Sequence, residues 1–192
     1  MYQAERDPYC YPGSEVLINK AGLRTQAALD NFETAMTFAR AEEPLPAGRL
    51  SVRHYSALHR HLFQDVYSWA GKYRTVRLSK VTSAFCYPEH IAKEMTAAFA
   101  SLKAERFLTG RKRRDFARGA AHFMAEVNAI HPFREGNGRT LNTFLIMLAA
   151  HAGHGIDLDR LEPERLLKAM IKSFKGNEAP LAAVIRKRTP PR

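Results

Sequence analysis

Cysteine is nearly missing from this chain, with two in 192 residues, Cys10 and Cys86. Neither lies in a Cys-x-x-Cys pair or beside a paired-histidine spacing, so the pattern excludes a zinc finger and a dithiol redox motif. A disulfide scaffold is excluded too, and plain thiols suit a reducing compartment. Long apolar runs are also missing. The longest, Phe144 to Ala150, falls far short of the roughly 20 residues that span a bilayer, so no membrane partner is expected. The opening, Met1 to Tyr11, has no apolar stretch behind a basic head. The expectation is a cytoplasmic chain, with export by a route the sequence does not display left open. Internal repeats and low-complexity segments are absent.

Acidic charge is scarce: 19 Asp and Glu face 30 Lys and Arg, leaving a formal net charge of +11. The excess concentrates in Arg111-Lys112-Arg113-Arg114 and in the tail from Arg186-Lys187-Arg188 to Arg192. Such charge can steer a chain to nucleic acid, anionic lipid or an acidic protein. No aromatic residues interleave with the clusters as they do in single-strand grooves. The clusters therefore read as a solvated helix start and a frayed tail, and charge alone leaves nucleic acid open without pointing to it.

What is present reads as one mainly α-helical domain over 1–192, long enough to bury its own core. N-terminal helices are expected over 14–45, one capped by Ser14 and running through Lys20, the next capped by Thr25. The second carries an apolar stripe of Ala28, Leu29, Phe32, Met36 and Ala39. A core of about 50–188 follows. Ser51 starts a helix bearing Tyr55, Leu58, Leu62 and Phe63, which runs to about Val66. The one non-helical region, 73–87, reads as a short β-hairpin flap with Thr82-Ser83 as its turn. Pro88 starts a helix through about Lys103, and another runs from about Phe116 to Ile130. From Arg139 to Ala152 the chain is almost uniformly apolar past Asn142, as suits a central helix. Shorter helices over 162–174 and 178–187 precede the basic tail, 186–192.

The chemistry concentrates in His131-Pro132-Phe133-Arg134-Glu135-Gly136-Asn137-Gly138-Arg139. These residues form a tight loop between two core helices. Gly136 and Gly138 permit positive φ, letting successive N–H groups face one concavity. That concavity lies at a helix N-terminus, where the dipole and unpaired N–H groups favour an anion. Arg139 adds a forked cation suited to phosphate. Glu135 beside such a cradle makes sense if Mg²⁺ bridges it to phosphate oxygens. Asn137 can donate from its amide, and His131 is the side chain able to accept a proton near neutral pH. Each piece alone is a common turn or cap. Together they describe phosphoryl or nucleotidyl transfer.

The segment resembles the Fic signature, His-x-Phe-x-(Asp/Glu)-Gly-Asn-Gly-Arg-x-x-Arg, at every fixed position but the last. A second stretch, Leu62-Phe63-Gln64-Asp65-Val66-Tyr67-Ser68-Trp69-Ala70-Gly71-Lys72-Tyr73-Arg74, resembles the family's upstream element. The resemblance runs from about Tyr9 to Ile185. It implies a protein adenylyltransferase that moves AMP from ATP, with Mg²⁺, to a Ser, Thr or Tyr hydroxyl of a target protein. His131 would be the base and Glu135 the metal carboxylate. Glu135, Gly136, Asn137, Gly138, Arg139, Thr140 and Asn142 would bind nucleotide, and Phe133 would lock the loop. The flap, about Ser79 to Phe85, would register the target by strand-like pairing, with Lys80 and Phe85 as contacts. The stretch Tyr9 to Lys20 resembles the opening of toxin-type members, whose inhibitor is a small helical antitoxin.

One position departs. The closing Arg of the signature, which in typical members contacts the terminal phosphate, is Asn142 here. Asn is neutral and cannot clamp bidentately. The departure keeps two alternatives in view: transfer of another nucleotide or phospho-group, and a non-catalytic basic binding module. No inhibitory (Ser/Thr)-x-x-x-Glu-(Gly/Asn) motif stands out; Ser101 to Glu105 has the spacing, but Arg106 follows.

Overall fold

Capping side chains decide where the first helices begin. The Thr25 hydroxyl accepts from Ala28 N–H at 3.4 Å and starts α1, Gln26–Glu42. The Ser51 hydroxyl accepts from His54 N–H at 3.2 Å and starts α2, Val52–Phe63. The computed structural model describes residues 7–80, 83–160 and 162–191, with the side chains of Lys80 and Ser83 outside that description. After α2 come short antiparallel strands β1 (Ser79–Lys80) and β2 (Ser83–Ala84), paired Ser79 with Ala84 and Lys80 with Ser83. Of the expected Thr82-Ser83 turn, Thr82 lies outside the described residues, and Ser83 belongs to β2 instead. A 3₁₀ turn at Pro88–His90 leads into α3, Ile91–Ala104. The chain continues with α4 (Arg113–Ile130), α5 (Asn137–His151), α6 (Pro163–Phe174) and α7 (Ala179–Arg188). The domain is mainly α, as expected.

Two expectations need correction. Residues 14–20 are not helical. Pro12-Gly13 makes a turn, Cys10 bridges Leu17, and Tyr11 N–H bonds Val16 O. The Ser14 hydroxyl is used two residues on, by Val16 N–H at 3.0 Å, a local bond that competes with capping. The described part of the basic tail is not frayed either. Helix α7 reaches Arg188, which is buried, and the Arg113 guanidinium donates to the Arg186 carbonyl at 2.7 Å. Packing of α4 against α7 thus joins the two basic clusters, and a cation at the end of α7 suits its dipole.

Helix α4 touches α3, α5, α6 and α7, and its Phe116, Phe123 and Val127 are buried with Phe144 and Leu148 of α5. Each such side chain contributes about 1.5–3 kcal/mol by leaving water. A second cluster, built on Leu29, Leu62, Phe63 and Tyr67, fastens α1 to α2. On α1 the inward face is not the expected stripe alone: Ala39 is exposed, while Glu33 and Thr37 turn inward. No helix among the described residues is long and apolar enough to cross a membrane.

Candidate active site

A loop joins the two central helices, and its geometry follows from how each helix ends. Helix α4 closes at His131 in the left-handed region (φ 50°), with its N–H on Val127 O. Helix α5 opens after Gly136, also left-handed (φ 80°). A Cβ at Gly136 would stand 2.3 Å from Phe63 Cζ, so only glycine fits there. Gly138 differs: it lies within α5, and a Cβ there would meet nothing within 4 Å. Of the two glycines, one is required by backbone and packing, and the other leaves open space beside the helix start.

Between these points Phe133 is fully buried, against Tyr55 (centroids 5.8 Å) and His59 (3.8 Å). Asn137 closes the loop on itself, accepting from Phe133 N–H at 2.9 Å and donating to Phe133 O at 2.8 Å. Its side chain is thus engaged inside the loop through its oxygen and one amide hydrogen, where the expectation is donation to a phosphate. The anion-directed donors are the first-turn N–H groups of Asn137, Gly138 and Arg139, which no helical carbonyl can reach. Thr140, expected among the nucleotide ligands, is fully buried, and its hydroxyl donates to Gly136 O at 2.9 Å.

A cleft of about 560 Å³ opens over this helix start, large enough for a nucleotide. His131, Glu135, Gly136, Asn137, Gly138, Arg139 and Asn142 line it, with Leu78, Ser79 and Phe85 of the flap and Arg134. Of the two flap candidates, the Lys80 side chain lies outside the described residues. Phe85 stacks on the His131 ring, centroids 4.0 Å apart and planes 16° apart. Glu135 points a half-exposed carboxylate at the cleft, with Oε1 accepting from Gly136 N–H at 2.8 Å. No cluster of three or more His, Cys, Asp or Glu able to hold a metal occurs among the described residues. A lone carboxylate beside a phosphate cradle fits Mg²⁺, which commonly binds through one or two carboxylates plus substrate phosphates.

Both cations among the described residues lining the cleft are already engaged. Arg139 pairs with Glu33 of α1, donates to the Thr37 hydroxyl at 3.3 Å, and lies over the Phe63 ring at 4.7 Å. Glu33 also accepts from Tyr67 OH. Arg134 pairs with Asp7 at 2.9 Å. Asn142 Oδ1 is buried on the cleft wall without a hydrogen-bond partner among the described residues.

Four residues that hold this site were not singled out from the sequence for any role. Arg74, buried in the core, donates to four carbonyls, among them His131 O at 2.7 Å, Ile130 O at 3.1 Å and Cys86 O at 2.6 Å. It ties the end of α4 to the flap, and burial pulls its pKa below the usual guanidinium value. His59 accepts from Gly71 N–H at Nδ1 (2.8 Å), so Nε2 carries the proton it donates to Glu135 O at 2.9 Å. Burial lowers its pKa from 6.5 to about 4, keeping the ring neutral. Glu33 and Arg134 complete the set. The available signal was polar residues on apolar faces: His59 four after Tyr55, and Glu33 four after Leu29.

Unpaired amides at a helix start, a carboxylate and an imidazole converging on one cleft of a helical domain define a phosphate-directed transferase site. The chain belongs to the Fic/DOC family, whose pattern it matches over residues 49–149. It is similar to the probable protein adenylyltransferase y4lH of Sinorhizobium fredii, 54% identical over 187 residues and 97% of each chain. It is also similar to the protein adenylyltransferase VbhT of Bartonella schoenbuchensis, 38% identical over 97% of this chain and 40% of that protein. Among solved structures, BepC of Bartonella tribocorum with bound AMPPNP superposes with a TM-score of 0.86, 26% identity, and coverage of 96% and 97%. A Fic domain of Bartonella quintana with bound ADP gives 0.87 and 27%, covering 96% and 95%.

Proposed function

We propose that the chain is a protein adenylyltransferase that moves AMP from ATP to a hydroxyl of another protein. The observation that carries the reading is the convergence of His131, the Glu135 carboxylate and the start of α5 on one nucleotide-sized cleft. The target hydroxyl oxygen attacks the α-phosphorus of ATP and passes its proton to the His131 imidazole. The bond between the α-phosphorus and the bridging oxygen breaks, and pyrophosphate leaves. The N–H groups of Asn137, Gly138 and Arg139 face the phosphates and stabilise charge that builds up in the transition state. Glu135 is the residue that would hold Mg²⁺, which supplies charge neutralisation at the phosphates when bound. The short β1–β2 ribbon borders the cleft through Ser79, and its exposed edge suits pairing with an extended target segment.

The partners in this reading are a target protein presenting Ser, Thr or Tyr and a small helical antitoxin. The resemblance of Tyr9 to Lys20 to the opening of toxin-type family members supports the latter. The free thiols of Cys10 and Cys86 support a cytoplasmic setting. Asn142 and the carboxylate pairing of Arg134 and Arg139 favour a second reading, a donor other than ATP. The deciding experiment is transfer from each labelled nucleotide in turn into lysate proteins. With His131→Ala, transfer should fall roughly 10²–10⁴-fold while the melting temperature holds, because the side chain acts in a loop. Near-wild-type turnover in that variant would reject the mechanism.

A further inference from the structure

The backbone at His131 is held from several directions. Its N–H is bonded to Val127 O, its carbonyl accepts from Arg74, and two residues earlier Ala129 O accepts from Cys86 N–H at 3.1 Å. None of these bonds sets the rotation of the imidazole about its own side-chain bonds. That rotation decides whether the ring nitrogen meets an incoming hydroxyl.

The ring's face is covered by Phe85, whose own backbone is pinned by Phe85 N–H to Leu78 O at 3.2 Å. Behind Phe85 stands Phe174, the last residue of α6, edge-on at 5.6 Å with planes at 86°. Helix α6 is anchored independently of the flap, through buried Leu166, Ala169 and Ser173 and its packing on α4 and α7. Phe174 therefore stands on a rigid part of the domain. Phe85 directly follows β2, one strand of a two-residue pair that by itself is a marginal support. Stacked and edge-on pairs are the two arrangements aromatic rings prefer.

We propose that Phe174 and Phe85 are positioning residues: Phe174 buttresses Phe85, and Phe85 holds the His131 imidazole in the orientation that receives the proton. The proposal rests on the reading of His131 as the base. It gives α6, which contributes nothing to the signature loop, a direct mechanical hold on that base. It also gives Phe85 a task at the base, besides any contact with a target.

The test combines kinetics with a signal that does not need turnover. Histidine is ¹³C-labelled, and the His131 ring resonance is assigned by its loss in His131→Ala. A ring stacked on Phe85 gives an upfield-shifted proton signal. Phe174→Leu, which keeps apolar volume without a ring, and Phe85→Leu are compared with Phe174→Tyr, which restores the ring. Losing one aromatic pair's preference corresponds to roughly 2- to 12-fold in the population of the competent orientation. The expected result is a several-fold fall in kcat for both leucine variants at unchanged KM for ATP. The His131 signal moves downfield or broadens, and Phe174→Tyr returns both to the wild-type values. A His131 signal unmoved in Phe174→Leu would overturn the proposal. So would a loss in which KM, kcat and melting temperature change together and the tyrosine does not rescue. If the wild type transfers nothing, yet the signal still responds to Phe174→Leu, the adenylyltransferase reading fails and the aromatic hold on His131 stands.

Discussion

Protonating His59 should destabilise the fold, and the structure sets the size of the effect. The ring lies fully buried between Phe133 and Phe63, with centroids at 3.8 and 4.8 Å. Both nitrogens are committed, one accepting from Gly71 N–H and one donating to Glu135 O. A second proton would set the acceptor nitrogen against a donor, in a site with little solvent to stabilise charge. In the unfolded chain His59 takes up a proton below about pH 6.5, whereas in the native state it stays neutral down to about 4. Between these values the unfolded state binds more protons, so stability falls as pH falls. At about 1.4 kcal/mol per unit of pKa, the site costs roughly 3 kcal/mol by pH 4. That is a large share of a typical 5–15 kcal/mol, and in a chain of this size about 6–12 °C of melting temperature. His59→Gln can still accept from Gly71 and donate to Glu135, but it does not titrate. Urea unfolding of both proteins should be followed from pH 7.5 to 4, with the difference between them isolating His59 from the carboxylates. The wild type should lose stability more steeply, by up to about 1.4 kcal/mol per pH unit within the window. Parallel curves would mean that the buried ring titrates normally, and its role as a neutral brace under the catalytic loop would fall.

Arg74→Met should cost about 3 kcal/mol or more in denaturant melts, because it strips a charged donor from four carbonyls, three of which are His131 O, Ile130 O and Cys86 O. Activity should fall with it, and a stable, active variant would remove the tether. The two signature glycines should separate cleanly. Gly136→Ala must move Phe63 and strain a φ of 80°, so it should lower the melting temperature. Gly138→Ala meets no atom and should fold as well as the wild type, yet calorimetric titration should show weaker nucleotide binding where its methyl enters the cleft. Unchanged affinity in Gly138→Ala would place the phosphates elsewhere. Asn142→Arg adds a guanidinium on the cleft wall and should tighten ATP binding by about 1.5–3 kcal/mol at best. A lower melting temperature without that gain would reopen the identity of the donor.

The sequence by itself determined the helical class, the starts of α1 and α2, and the loop that carries the chemistry. Those are local properties: a capping hydroxyl reaches N–H groups two or three residues on, and the matched part of the signature lies within nine consecutive residues. It failed at Ser14, where another local bond competed for the same hydroxyl. Only the tertiary structure decided which polar groups the loop keeps for itself. Asn137 and Thr140 look like phosphate ligands in sequence, but the folded loop uses both to hold its own backbone. Arg139 looks like a free cation until α1, more than a hundred residues earlier, sets Glu33 beside it. His59, Arg74 and Phe174 reach the site from α2, the flap approach and α6. No spacing along the chain encodes their convergence, because it arises from how separately formed helices pack their buried faces on one core.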